Sequence, residues 1–245
     1  MGMAVSSLVL ISGANAFAIA LNDSGYGVND IGSYQAGSGG EFYFRPTSGP
    51  VNNSSYADTS RNLGLGGAGS FQTFCLERGE WLAQGSVRYV VNDEAVGGGA
   101  NYHTPAGNQS GDTLSVGTAW LYSQFAQGTL SGYNWSGSDR LTSAGLLQNA
   151  IWALEDEIAD PSGNIFFTAA LNHFGSSAAA QANYTSGEYG VWVLNNTVGT
   201  TKKQDMLYYS TGASVPDGGS TLILLGLAAS GLSLLGRREK ASQAA

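Results

Sequence analysis

Cys75, His103 and His173 are the only cysteine and histidines of this 245-residue chain, and they bound its nucleophilic chemistry. In an oxidising compartment a protein normally pairs its cysteines or does without them. A lone thiol therefore leaves four roles open. Cys75 is a buried small hydrophobe, a catalytic nucleophile, a partner in an intermolecular disulfide, or one half of an internal thioester. A nucleophile needs a histidine base and a third group to orient it. His103 lies in a polar loop before Thr104-Pro105 and His173 near the end of a candidate helix, neither in a protease-like context. One cysteine and two dispersed histidines lack zinc-ligand spacing, so no metal is expected. There is no phosphate loop, serine elbow or paired-carboxylate motif, and neither a cofactor nor enzymatic turnover is expected. Glu155-Asp156-Glu157 reads as a solvated helix end, although anions are unfavourably placed at a helix C-terminus.

The elements that must hold these groups follow from hydrophobic periodicity. Residues 70–77 place Phe71, Thr73, Phe74 and Leu76 around Cys75, a β-favouring set. Further strands are predicted at 39–44 and 87–91, with Trp81 continuing the strand-like pattern. A terminal hairpin over 189–194 and 205–209 has Lys202-Lys203 in its turn. One helix is predicted over 115–127, with Val116, Ala119, Trp120 and Ser123 on one side. A second spans 143–158, where Leu147, Ile151, Leu154 and Ile158 form an apolar stripe. Gln148 and Trp152 share an adjoining line of that helix, which Pro161 ends. A short third helix covers 167–174. Thirty-six glycines and only 11% charged residues suit a β-rich secreted protein with many turns. The expected fold is thus α+β, a single β-rich domain, sandwich or barrel-like, with two to three short helices and a C-terminal hydrophobic helix.

The two ends carry addresses rather than fold. Residues 1–18 hold an apolar core and the small-residue patterns Ala14-Asn15-Ala16 and Ala16-Phe17-Ala18, as in a signal peptide and its cleavage site, with a basic n-region lacking. Residues 215–240 begin with the turn Val215-Pro216-Asp217-Gly218-Gly219. They continue through an apolar run over 222–235, slightly short of the roughly 20 residues of a stable span, and end on the basic stop Arg237, Arg238 and Lys240. Between them, residues 19–214 suit one ectodomain. Residues 19–217 carry 17 acidic and 7 basic side chains, a net of −10. That excludes nucleic acid and anionic membrane surfaces as partners, since both require a basic patch.

The tail resembles the PEP-CTERM family of sorting signals in its VPDSG-type variant, with Gly218 where that variant has serine. The resemblance implies processing by an exosortase, a membrane cysteine protease of Gram-negative bacteria. It also implies transient anchoring in the inner membrane and delivery to the cell surface or an exopolysaccharide matrix. Within the ectodomain, Thr73-Phe74-Cys75-Leu76-Glu77 and Leu147-Gln148-Asn149-Ala150-Ile151-Trp152 resemble the thioester domains of bacterial surface adhesins. In that family an aromatic-Cys strand faces a glutamine that opens a Gln-x-Ala-Ile-Trp helix. Ala119-Trp120-Leu121-Tyr122 is similar to the family's intervening helix, and here Leu147 stands where a threonine is frequent. The resemblance implies a bond between Cys75 and Gln148, with Phe74, Trp120 and Trp152 as aromatic cover, that captures an amine or hydroxyl on a polysaccharide or protein target. The alternative is a non-covalent matrix or carbohydrate-binding protein, for which Tyr133, Trp135 and Tyr184 are candidate stacking residues.

Overall fold

The structure, a computed structural model, describes residues 19–37, 39–51, 69–96, 112–185 and 187–210. The chain divides into two units, Met1–Ala213 and Ser214–Ala245. The second lies wholly outside the described residues, as do the leader 1–18 and His103. The sorting motif Val215 to Gly219, the basic stop and the expected C-terminal helix therefore lie there too. Among the described residues no helix is long and apolar enough to cross a membrane.

Five strands come early in the chain: β1 (Ser24–Ala36), β2 (Gly39–Ser48), β3 (Phe71–Thr73), β4 (Gly85–Asn92) and β5 (Glu94–Ala95). They are followed by β6 (Asp112–Thr113), α1 (Val116–Gln127), α2 (Gly137–Leu154), α3 (Ile165–Phe174) and α4 (Ser177–Ala180), and a closing hairpin of β7 (Val191–Val198) and β8 (Thr201–Tyr209). Six strands form one antiparallel sheet in the order β3-β2-β1-β4-β7-β8, while β5 and β6 form a separate pair. The sheet curls into a half-barrel. Beyond β3 the chain crosses to the opposite edge strand: Leu76 N–H donates to Asp205 C=O at 3.0 Å, Leu207 N–H to Phe74 C=O at 3.3 Å, and Cys75 bridges Met206. Two hydroxyls reinforce this seam. Thr73 Oγ1 lies 2.6 Å from the Leu207 carbonyl, and Tyr122 Oη lies 3.0 Å from both the Gln72 and Leu207 carbonyls.

Both faces of the sheet near the seam are buried, and the two-residue period of a strand sorts side chains between two cores. Val191, Val193, Leu207 and Phe74 join the core formed with the helices. Trp192, Leu194, Met206, Tyr208 and Cys75 join the other, with Phe42, Phe44, Phe71 and Tyr89. This two-sided burial explains why the sequence reads there as continuous apolar runs rather than alternation.

The helices have readable boundaries except for the second. Ser115 caps α1 by accepting from Thr118 N–H, and Asn164 caps α3 by accepting from Phe166 and Phe167 N–H. Gly128 and Gly175 end the same helices in the left-handed conformation. The second helix starts earlier than its apolar stripe predicts, at Gly137, and stops at Leu154 rather than Ile158. Its end is a Schellman turn. Asp156 takes φ +59°, and Glu157 N–H reaches back to Trp152 C=O at 2.7 Å. Pro161 lies beyond this turn and does not set it.

Candidate functional site

The segment that follows β3 and the middle of α2 bring Cys75 and Gln148 into direct contact. Cys75 N–H donates to Gln148 Oε1 at 3.1 Å, and Gln148 Nε2–H₂ donates to Cys75 C=O at 2.8 Å. The carboxamide is thus bracketed by the main chain of a residue 73 positions earlier. Both residues are buried, Cys75 at 3% and Gln148 at 1% exposure. Buried amides are almost always paired, but here both ends of the amide are held by one residue whose side chain is a thiol.

Two contacts set α2 at the required height. Arg140, fully buried, forms a two-pronged ion pair with Glu41 of β2 at 2.8 and 2.6 Å, and Tyr133 donates a short hydrogen bond to the same carboxylate. Eight residues after Arg140, Gln148 passes over Gly39, also in β2. A Cβ at Gly39 would lie 2.3 Å from Gln148 Cγ and 2.7 Å from Trp152 Cη2. Glycine is needed there for close approach, not for an unusual backbone angle. Gly145 plays the same part against Ala36 of β1, where a Cβ would meet the alanine Cβ at 2.6 Å.

Cys75 and Trp152 line a cleft of about 650 Å³ whose wall also includes Phe42, Glu80, Trp81 and Gln204. The indole N–H of Trp152 is buried with no hydrogen-bond partner among the described residues. Of the three aromatics proposed as cover, Trp152 stands at the cleft. Phe74 faces the other core, because adjacent residues of an extended segment point to opposite sides. It packs edge-on against Tyr122 and Phe125. Trp120 stacks on His173 with ring centroids 4.4 Å apart. That contact, with Phe174 against the same imidazole, accounts for His173 and leaves it outside the cleft lining.

The electrostatics are acidic and inward. Burial first, and the nearby Glu80 second, push the Cys75 thiol far above its ordinary range. It is therefore a thiol rather than a thiolate at neutral pH, unlike a catalytic cysteine beside a cation. Burial raises the Glu80 carboxyl to about 7, although it accepts from Asp205 N–H at 3.2 Å and faces Lys202. Glu77 and Glu157 are buried as a carboxyl pair. Burial and their mutual contact push Glu77 strongly upward, and burial raises Glu157. Two carboxylates in one dry site cannot both ionise.

Glu155-Asp156-Glu157 is accordingly not a solvated helix end. Only Asp156 faces water, while Glu155 accepts from the Ser115 N–H and hydroxyl at the N-terminus of α1. The α1 dipole favours the anion that the α2 dipole disfavours. Sequence reasoning also missed Gly39, the Glu41–Arg140–Tyr133 clamp and Glu80. The pair Gly39-Gly40 was the one local signal, since consecutive glycines in a strand mark close backbone approach. Tyr133 and Tyr184, candidate sugar-stacking residues, are buried in the core, and Trp135 packs against it. No protein-family model, curated protein or solved structure matches this chain.

The chemistry open to this pair is acyl transfer. The Cys75 sulfur would add to Gln148 Cδ, the thiol proton would pass to the amide nitrogen, the C–N bond would break and ammonia would leave. Cys75 N–H already donates to the oxygen on which charge develops during such an addition. Glu80, titrating near neutrality on the same cleft wall, has the pKa a proton acceptor needs.

Proposed function

We propose that the protein is an exported adhesin that captures surface or matrix targets through a Cys75–Gln148 thioester. It would be secreted through the leader 1–18 and sorted by an exosortase through the tail 215–240 to the surface or matrix of a Gram-negative-type bacterium. It is not an enzyme, because each molecule would react once. The observation that carries the adhesive half is the bracketing of the buried Gln148 carboxamide by the main chain of Cys75, a residue that lines the cleft. Near-attack positioning is what makes thiol attack on an unactivated amide feasible. Burial then protects the product from water. An incoming amine or hydroxyl would take the Gln148 acyl group and release the Cys75 thiol. Supporting the sorting half are the residues of the tail themselves, Val215 to Gly219 followed by the apolar run and Arg237, Arg238 and Lys240.

Intact mass of the purified chain beside Cys75→Ala tests the bond. The parent should lack one ammonia relative to its sequence and the variant should not. Methylamine should add to the parent alone, at Gln148. Because the thiol is buried, alkylation must be read after denaturation. A parent of full sequence mass with an alkylatable Cys75 refutes the covalent mechanism.

A further inference from the structure

Trp81 is the most exposed of the large hydrophobic side chains among the described residues, at 85%. Its segment is nevertheless held in place: Trp81 C=O accepts from Gln204 N–H at 3.2 Å, and Glu80 Oε2 accepts from Asp205 N–H at 3.2 Å. An exposed indole on an anchored backbone offers a ready stacking surface, apolar on its face and polar at its N–H. Trp81 is also a ridge between two hollows that share Gly79, Glu80 and Trp81. One is the cleft that reaches Cys75. The other, of about 280 Å³, is walled by Lys202 and Lys203. With Arg78 on the cleft wall, three of the chain's ten cations meet beside one flat aromatic, on a protein of net charge −8.

We propose that Trp81, Lys202 and Lys203 form a binding subsite for acidic polysaccharide, specifically chains bearing uronate carboxylates. A sugar ring stacks on the indole, its carboxylate meets Lys202, with the charge of Lys203, the next residue of β8, nearby, and the neighbouring residue enters the cleft along Gln84, whose exposed amide suits hydroxyl groups. A flat aromatic flanked by an amide and cations fits a hydroxyl-rich anionic ring, whose apolar face stacks on the indole while its carboxylate meets the lysine charge. Glu80, the acid that faces this subsite, turns its carboxylate inward to Asp205 N–H, which limits repulsion. Where the Cys75–Gln148 thioester forms, a hydroxyl of the bound sugar becomes the acyl acceptor. That capture step rests on the proposed function, whereas the reversible binding does not.

Binding of the full chain in detergent to immobilised polygalacturonate, dextran and poly-L-glutamate tests the subsite, in the parent and on a Cys75→Ala background that cannot form the thioester. Polygalacturonate should bind in both backgrounds and weaken as salt rises, and dextran should bind at least tenfold more weakly. Trp81→Ala and the double variant Lys202→Ala, Lys203→Ala should each lose about tenfold or more, the scale of an aromatic or charged hot spot. Tyr26→Ala, at an exposed aromatic elsewhere on β1, should not. Equal binding by Trp81→Ala, equal binding of dextran, or tighter binding of poly-L-glutamate overturns the proposal. Loss of binding in Cys75→Ala alone overturns it in favour of purely covalent attachment, while reversible binding in a parent of full sequence mass keeps the subsite and removes the thioester.

Discussion

Gly39→Ala is the substitution that the geometry of the site singles out. Carbon atoms in contact sit about 3.5–4.0 Å apart, but the new methyl would start 2.3 Å from Gln148 Cγ and 2.7 Å from Trp152 Cη2. Both side chains must retreat, by roughly 1 Å or more. The nearer atom belongs to Gln148, so Gln148 moves furthest. Its two hydrogen bonds to Cys75, at 3.1 and 2.8 Å, cannot survive that displacement within ordinary hydrogen-bond geometry. Overpacking contributes about 1–3 kcal/mol of destabilisation, and a buried amide left unpaired about 1–3 kcal/mol more. For a domain of this size the sum lowers Tm on the order of 10 °C. A 1 Å misplacement also lowers the rate of an oriented reaction by about 100-fold, so methylamine incorporation at Gln148 should fall to background. Gly37→Ala is the control, since a Cβ there meets nothing within 4 Å and the cost is only the backbone strain of φ +68°. Calorimetry and methylamine mass analysis on both variants decide the matter. A Gly39→Ala protein as stable as Gly37→Ala, with parental incorporation, would refute the claim that this glycine sets the position of Gln148.

Two further outcomes follow from the buried charges. Arg140→Met leaves Glu41 as an uncompensated buried carboxylate and should cost about 3–5 kcal/mol, whereas the double variant Glu41→Gln, Arg140→Met should recover part of that loss; urea unfolding measures both, and additive losses would refute a coupled clamp. Carboxyls whose pKa is higher folded than unfolded bind more protons in the folded state, so stability is full below about pH 4.3 and is lost as pH rises through the folded value, near 7 for Glu155 and higher for Glu77. Glu155 alone contributes a loss on the order of 3 kcal/mol across that window. Glu77→Gln should flatten the decline above pH 7, and a stability that rises from pH 5 to 8 in the parent would refute the buried acid pair.

The parts of this fold that the sequence disclosed are those governed by local period. The β-rich character, the three longer helices and the closing hairpin all show in residue spacing, because each element buries a face whose repeat is written in its own residues. The closing hairpin is an example, with Lys202 and Lys203 falling one step past the turn, in the first residues of β8. The end of α2 was misread because hydrophobicity continues to Ile158, while the helix stops where Asp156 accepts a left-handed backbone that no apolar stripe records. Trp81 was read as strand for its residue type alone; type cannot tell a buried aromatic from a displayed one.

Glu155 and Glu157 mark the harder limit. Their neighbours in sequence make them a charged helix end, yet their partners, Ser115 and Glu77, come from other elements. The same is true of Gly39, whose purpose appears only when α2 crosses it. These residues share one property: each exists for a contact made across tens of positions. Cys75 and Gln148 belong to this class as well, and composition or periodicity alone would leave one as a core thiol and the other as a helix-surface amide. Resemblance supplied their pairing, and the seam between β3 and β8 supplies its physical reason. An edge that crosses to the opposite strand at Cys75 and Leu76 frees the Cys75 N–H and C=O from β2 and turns them toward α2, where the Gln148 amide satisfies both. A buried main chain left unpaired at a seam is costly. The amide therefore stabilises the half-barrel whether or not sulfur ever reaches its carbon. Gln148→Ala should destabilise even a Cys75→Ala protein, by about 1–3 kcal/mol, and only the part of its effect that depends on the Cys75 thiol reports on the thioester.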